Sequence, residues 1–148
     1  MKDKYLFDAS SLVLIIGKIP NENILKEPVS LLITPLTPFE YGNAFWKAFI
    51  RREITLEEFE KALMLLEKLI DIGILNVVKV ENFNEIAKIS ARRKISFYDA
   101  SYIFSAKEEN ATLVTEDNGL KETCLAERVD VIDSQTFLRR LKIVRSNK

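Results

Sequence analysis

The feature that most constrains the fold is a regular alternation of short apolar runs and longer segments with helical periodicity. Parallel strands need long crossover connections, whereas antiparallel strands can be joined by tight turns. Most segments between the apolar runs are long enough for a helical crossover. The alternation therefore predicts an α/β fold, a three-layer α/β/α sandwich around a parallel sheet. Its strands are predicted at residues 5–7, 28–34, 75–80, 111–115 and 129–132.

Capping signals predict where the helices begin. A Ser or Thr followed three residues later by Glu can form a capping box, which satisfies backbone N–H groups that the first helical turn leaves free. The predicted starts are Ser10 or Ser11, the pair Thr37 and Glu40, the pair Thr55 and Glu58, Asn82, Ser96 and Ser134.

The length of 148 residues suits a single domain over residues 1–148, with a substantial core. The chain has 22 Lys plus Arg and 22 Asp plus Glu, so its net charge is zero. Overall charge therefore gives no indication of a nucleic-acid partner, and any such contact has to come from local patches.

The chain contains no His. This excludes a Ser-His-Asp or Cys-His nucleophile and any zinc site that uses His. Cys124 is the one cysteine, so it cannot form an internal disulfide, and we expect it to be a core residue in a reducing compartment. The run 12–16 is too short to span a bilayer, and no targeting segment is evident, so a cytoplasmic location is expected. An enzyme of this composition has to use carboxylates, amines, hydroxyls or a bound cation.

Four carboxylates follow predicted strands or begin predicted helices: Asp8, Glu40, Asp99 and Asp117. All four are expected at the carboxyl edge of the sheet, where open α/β sheets bind ligands. Acids held close together repel one another unless a cation is present. Oxygen ligands without soft donors favour Mg²⁺ or Mn²⁺.

Each acid also has a purely structural explanation. Glu40 can complete a capping box with Thr37, and Asp99 can do the same with Ser96. Asp8 and Asp117 can cap the short helices that follow them, since acids are favoured in first turns. The functional interpretation depends on all four falling at one edge of one sheet.

The segments that carry these acids resemble the PIN domain, and specifically the single-domain VapC-type toxin nucleases. They are YLFDASSLV at 5–13, TPFEYGN at 37–43, SFYDASYIFSAK at 96–107 and LVTEDNGL at 113–120. The resemblance covers nearly the whole chain and retains all four acids in order.

This resemblance implies a metal-dependent endoribonuclease that hydrolyses RNA phosphodiester bonds, as the toxin of a toxin–antitoxin pair. It implies that Asp8, Glu40, Asp99 and Asp117 bind the metal, with Thr115 as a supporting hydroxyl and Asn43 as a weaker candidate. Two features depart from the family's pattern. The run 34–38, just before Glu40, is unusually rich in Pro, and Glu116 adds a carboxylate able to share or replace the role of Asp117.

The resemblance further implies a homodimer and inhibition by a small antitoxin protein. The apolar helices between residues 39 and 72 can supply such surfaces or pack on the sheet. Basic candidates for gripping the substrate are Arg92, Arg93, Lys94, Arg139, Arg140 and Lys142. Tyr41 and Phe97 are candidates for stacking on bases.

Other classes of function fit less well. A receiver-like phospho-acceptor requires an acidic pair after the first strand, which is missing here. A P-loop nucleotide binder requires GxxxxGK[ST], which the sequence lacks. The remaining alternative is a PIN-like module that binds RNA or protein without catalysis.

Overall fold

A computed structural model describes residues 3–19 and 29–146, with side chains through Leu141. The described part contains five strands: β1 (Asp3–Phe7), β2 (Val29–Ile33), β3 (Leu75–Val77), β4 (Thr112–Val114) and β5 (Val131–Ile132). The described helices are α1 (Ala9–Ile15), α2 (Thr37–Ile50), α3 (Leu56–Asp71), α4 (Phe83–Arg93), α5 (Phe97–Glu109), α6 (Asn118–Ala126) and α7 (Ser134–Ser146). A 3-10 helix, Ile16–Lys18, extends α1. The predicted start of the second strand, Pro28, lies outside the described residues.

The strands form one parallel sheet in the order β3-β2-β1-β4-β5, which confirms the predicted fold class. The chain leaves β1 toward one edge of the sheet and later returns to β1's other side as β4. The strand order therefore reverses between β1 and β4. This place is the switch point of the sheet, and ligands of open α/β sheets bind at such a point.

The centre of the sheet is buried on both faces. Tyr5 and Phe7 of β1 pack with helices α1, α2, α3 and α7, whereas Leu6 between them packs with α4, α5 and α6. This alternation follows from strand geometry, because successive side chains point to opposite faces. A strand covered on both faces needs apolar residues at consecutive positions, which explains its continuous apolar run.

Three of the predicted helix caps are wrong. The cap of α1 is Asp8, whose side chain accepts the backbone N–H of Ser11, and neither Ser10 nor Ser11 caps it. No capping box joins Thr37 and Glu40, because Thr37 is already helical and its Oγ1 accepts the N–H of Thr34 at 3.1 Å.

At the start of α7, Asp133 rather than Ser134 accepts the N–H of Thr136, at 2.8 Å. The hydroxyl of Ser134 is used instead on Glu116. The predicted capping box of Thr55 and Glu58 is confirmed at the start of α3.

Candidate active site

Asp8 lies directly after β1 and is buried. Its Oδ1 accepts the N–H of Ser11 at 3.0 Å and the hydroxyl of Ser10 at 2.7 Å. Its Oδ2 accepts the hydroxyl of Thr115, which follows β4 and is fully buried. These donors reach both oxygens of the Asp8 side chain and so fix its orientation.

The two hydroxyls also connect Asp8 to the loop that carries Asp117. The N–H of Glu116 donates to Ser10 Oγ at 3.0 Å, and the N–H of Asp117 donates to Thr115 Oγ1 at 3.1 Å. Each oxygen of Asp8 is thus linked through one hydroxyl to one backbone amide of this loop. Ser10 was missed as a site residue at the sequence level, although its position two residues after Asp8 was the available signal.

Asp117 caps α6, since its Oδ1 accepts the N–H of Leu120 at 2.9 Å. The structural explanation of this acid is therefore correct, but it accounts for one of its two oxygens. Within the described residues, no hydrogen bond reaches Oδ2. A Cβ at Gly119 would lie 3.2 Å from Asp117 Oδ1, so a larger residue there would crowd the carboxylate.

Glu40 lies in the first turn of α2, where its carboxylate makes no capping box. Its Oε1 instead accepts the hydroxyl of Tyr102, on α5, at 2.6 Å. The structural explanation from capping therefore fails for Glu40. Its carboxylate is drawn toward the helix that carries Asp99.

Asp99 lies in the first turn of α5. Ser96 caps this helix by accepting the N–H of Asp99 at 3.0 Å, so the first half of the predicted capping box forms. The second half would need the N–H of Ser96 to donate to the carboxylate of Asp99, and this bond is absent among the described residues.

The charges of the four acids act on one another. Partial burial raises the pKa of Glu40, and the negative charges of Asp8 and Asp99 raise it further. The hydrogen bond that Glu40 accepts from Tyr102 acts in the opposite direction and lowers this pKa. Partial burial also raises the pKa of Asp99, and Asp117 and Asp8 add to the rise. The structure thus brings the four predicted carboxylates into one field of negative charge at the switch point of the sheet.

The four carboxylates do not form a ready-made metal site. Among the side chains of residues 3–19 and 29–141, no three acidic, His or Cys groups are placed to hold a metal ion together. Carboxylate oxygens are nevertheless the protein ligands of Mg²⁺, which keeps several waters and usually binds through one or two carboxylates. The donors therefore fit a hard divalent cation, and the role of the four acids as metal ligands stays a prediction.

Other predicted contributors have different roles. Glu116 uses its Oε1 on Ser134, whose backbone N–H donates to it at 3.1 Å. Tyr41 is fully buried and donates to the carbonyl of Ala62, so it is excluded from base stacking, while Phe97 is 42% exposed. Asn43 is exposed on α2, and none of the hydrogen bonds among the described residues joins its side chain to the acids.

Arg92 and Arg93 bind Glu127 rather than lining the acidic cluster. The buried carboxylate of Glu127 accepts from Arg92 at 2.7 and 2.9 Å, from Arg93 at 2.6 Å and from Lys107 at 2.5 Å. These bonds, with that of Arg92 the largest, hold the pKa of Glu127 well below its usual range. Because this network joins α4, α5 and α6, its arginines have a structural role that charge alone did not reveal.

Of two further basic candidates, the structure describes the side chain of one. Arg139 donates to Thr136 at 3.0 Å on its own helix. The side chain of Lys142 lies outside the described residues.

Cys124 is buried in the core, as the sequence predicted. Burial raises the pKa of its thiol to about 12, so the thiol stays protonated and is no nucleophile. No helix in the described ranges is both long and apolar enough to span a membrane.

A parallel sheet between two helical layers, with four acids at its switch point, defines an α/β/α protein with an acidic candidate site. The chain belongs to the PIN-domain family, whose model matches residues 5–125, and the resemblance seen in the sequence is thereby confirmed.

Relatives agree with this assignment over nearly the full length. The protein named "Exonuclease VapC9" from Pyrobaculum aerophilum is 31% identical over 141 residues, covering 95% of this chain and 98% of that protein. The crystal structure of PAE2754 from Pyrobaculum aerophilum matches with a TM-score of 0.76 and 29% identity, covering 97% of this chain and 99% of that one. A chain of VapBC-1 from nontypeable Haemophilus influenzae has a TM-score of 0.58 at 16% identity, covering 89% and 98%, and shares the fold.

Proposed function

We propose that this protein is a Mg²⁺- or Mn²⁺-dependent ribonuclease that hydrolyses RNA phosphodiester bonds as an endonuclease. The observation that carries the proposal is how the four acids are held near one another. Hydroxyls link Asp8 to the loop of Asp117, and the bond from Tyr102 ties Glu40 to the helix that carries Asp99. Supporting it are membership of the PIN-domain family and a relative whose name contains both "exonuclease" and VapC.

The four carboxylates would hold the metal, and their chemistry fits a hard cation. A bound divalent ion supplies a water that ionises near neutral pH and neutralises charge on the phosphate. Without the ion, the field of the four acids repels a phosphate. With no His in the chain, the acids act as ligands and not as an acid–base pair.

The protein's own groups keep this arrangement ready. Thr115 and Ser10 fix both oxygens of Asp8, and the bond from Thr115 is buried away from water. The cap of Asp117 uses Oδ1, and no donor in the described part of the chain reaches its Oδ2. Such fixed ligands reduce the reorganisation needed when metal and substrate bind.

The test is cleavage of one RNA carrying either an end label or an internal label. Purified protein should cut it with Mn²⁺ or Mg²⁺ and stop in EDTA. Internal fragments appearing early indicate endonucleolytic cutting, whereas mononucleotides released from one end indicate exonucleolytic cutting. Activity that persists in EDTA would contradict the metal mechanism.

Asp99→Asn should abolish cleavage, and Asp71→Asn is its matched control. Asp71 is an exposed acid at the end of α3, so its substitution should leave the rate unchanged. If Asp99→Asn cuts as fast as the control, the site assignment is wrong. RNA binding without cutting by the wild type under all metal conditions would favour the non-catalytic binding module.

The proposal includes a homodimer and a small antitoxin partner, acting in the cytoplasm. Its structural support is an apolar stripe on α2, where Phe39, Trp46 and Ile50 are 79%, 48% and 57% exposed. Large exposed apolar side chains on one helix face are typical of protein interfaces. Sedimentation should give twice the monomer mass, and Trp46→Glu should shift it toward the monomer. An unchanged mass would exclude this stripe as the interface.

A further inference from the structure

A chain of buried hydroxyls leads from the end of β2 to Glu40. Thr34 Oγ1 lies 3.3 Å from Thr37 Oγ1, which lies 3.0 Å from the hydroxyl of Tyr102. The Tyr102 hydroxyl in turn lies 2.6 Å from Glu40 Oε1. Thr34, Thr37 and Tyr102 are each at most 2% exposed.

The direction of these bonds follows from donor counting. Ionised Glu40 only accepts, so the single proton of Tyr102 is donated to it. Tyr102 then accepts from Thr37, whose own oxygen accepts the N–H of Thr34 at 3.1 Å and the Thr34 hydroxyl. The N–H of Leu36 completes the chain by donating to Thr34 Oγ1 at 3.2 Å. Every hydroxyl therefore points its proton toward the carboxylate.

We propose that Tyr102 is a positioning residue, which fixes Oε1 of Glu40 so that its other oxygen is presented to the metal. This inference rests on the proposed function. Within the described residues, no hydrogen bond reaches Glu40 Oε2, so one oxygen is anchored and the other is available. Outer partners of this kind typically change metal affinity by about 10- to 100-fold.

Tyr102 also sets the separation of two ligands. It lies on α5 three residues after Asp99, and residues at this spacing share a helix face. Its bond to Glu40 therefore ties the first turn of α2 to the helix that carries Asp99. A long Glu side chain loses much rotamer freedom when it is fixed, and a buried donor removes that cost before the metal arrives.

The test is Mn²⁺ binding to metal-free protein by isothermal titration calorimetry. Tyr102→Phe removes the donating hydroxyl and should weaken Mn²⁺ binding by about 10- to 100-fold. Raising Mn²⁺ should restore its cleavage rate, because the ligand itself remains. Glu40→Gln should lose affinity without such rescue.

The matched control is Tyr41→Phe. Tyr41 is as buried as Tyr102, but its hydroxyl donates to the carbonyl of Ala62 at 2.7 Å and not to an acid. It should bind Mn²⁺ within about twofold of the wild type, even where its unfolding temperature falls. This comparison separates loss of a buried hydroxyl from loss of ligand positioning.

These outcomes separate a failure of the positioning role of Tyr102 from a failure of the metal site itself. If Tyr102→Phe binds Mn²⁺ as tightly as the wild type while Glu40→Gln does not, the positioning role is wrong and the metal site stands. If the wild type itself binds no Mn²⁺, or Glu40→Gln binds it equally well, the proposed site fails and the inference fails with it.

Should Tyr102→Phe not fold, Thr37 provides a second test. Thr37→Val removes the hydroxyl that donates to Tyr102 and should weaken Mn²⁺ binding several-fold, whereas Thr37→Ser keeps the hydroxyl and should restore it. Equal Mn²⁺ affinities of the Val and Ser variants would overturn the proposal.

Discussion

Asp8 has a structural role and a proposed chemical role, and two substitutions separate them. Asp8→Asn keeps an oxygen that can accept the N–H of Ser11 at the start of α1 but removes the negative charge. Asp8→Ala removes both oxygens, so the cap and the acceptor of Thr115 are lost together.

The expected cost of Asp8→Ala follows from those two contacts. Loss of a helix N-cap costs about 1 kcal/mol, and loss of a hydrogen bond to a charged group costs about 2 kcal/mol. The free energy of unfolding should thus fall by about 3 kcal/mol, which lowers the unfolding temperature by roughly 6–12 °C for a domain of this size. Asp8→Asn should cost under about 1 kcal/mol, since Thr115 Oγ1 can accept from the new amide and less like charge remains near Glu40.

The assay is thermal unfolding in EDTA and in Mn²⁺, alongside RNA cleavage. Wild-type protein in Mn²⁺ at 100 times Kd should gain about 2.7 kcal/mol, and Asp8→Asn should lose this gain and its cleavage while staying folded. If Asp8→Asn cleaves RNA at the wild-type rate, Asp8 is not a metal ligand. If Asp8→Ala unfolds at the wild-type temperature, the cap of α1 and the bond from Thr115 do not stabilise the protein as argued.

The acidic cluster and the Glu127 network give two further predictions. Burial, with added repulsion from Asp8 and Asp99, raises the pKa of Glu40 above its ordinary 4.5, so the folded state binds this proton more tightly than the unfolded state. In EDTA, that group should therefore destabilise the protein increasingly as pH rises through the window above 4.5. Urea titrations at several pH values should show a flatter decline for Glu40→Gln, and equal slopes would contradict this. Glu127→Gln leaves three cations without their shared carboxylate, so it should lower the urea midpoint more than Glu122→Gln, an exposed change on α6, the helix that Glu127 follows. Equal midpoints would contradict this.

The parts of the fold that depend on local pattern were predictable. All five apolar runs contain a strand, and the central strands β1, β2 and β4 are apolar at consecutive positions because both of their faces are buried. Thr55 with Glu58 formed its capping box because both partners lie within one turn. The Thr37 and Glu40 pair had the same spacing and failed. The N–H of Thr34 binds the Thr37 hydroxyl, and the hydroxyl of Tyr102 binds the Glu40 carboxylate. No local pattern in the sequence shows that α5, which carries Tyr102, will lie beside α2.

The basic residues show the same limit. The sequence places Arg92 and Arg93 at the end of a helix, where solvent or a phosphate are the obvious partners. In the structure their partner is Glu127, more than thirty residues later, because the ends of α4 and α6 meet there. Charge patterning reveals which groups need a partner, whereas packing decides which partner is within reach.

The sequence by itself determined the alternation of strands and helices and the four acids at the ends of elements, because these follow from periodicity and residue type. The segments around those acids carried the resemblance to the family. Tertiary structure alone decided how those acids are held. Ser10 and Thr115 reach both oxygens of Asp8, and Tyr102 takes one oxygen of Glu40. Such contacts join residues up to 107 positions apart, and they arise because parallel strands bring their carboxyl ends to one edge.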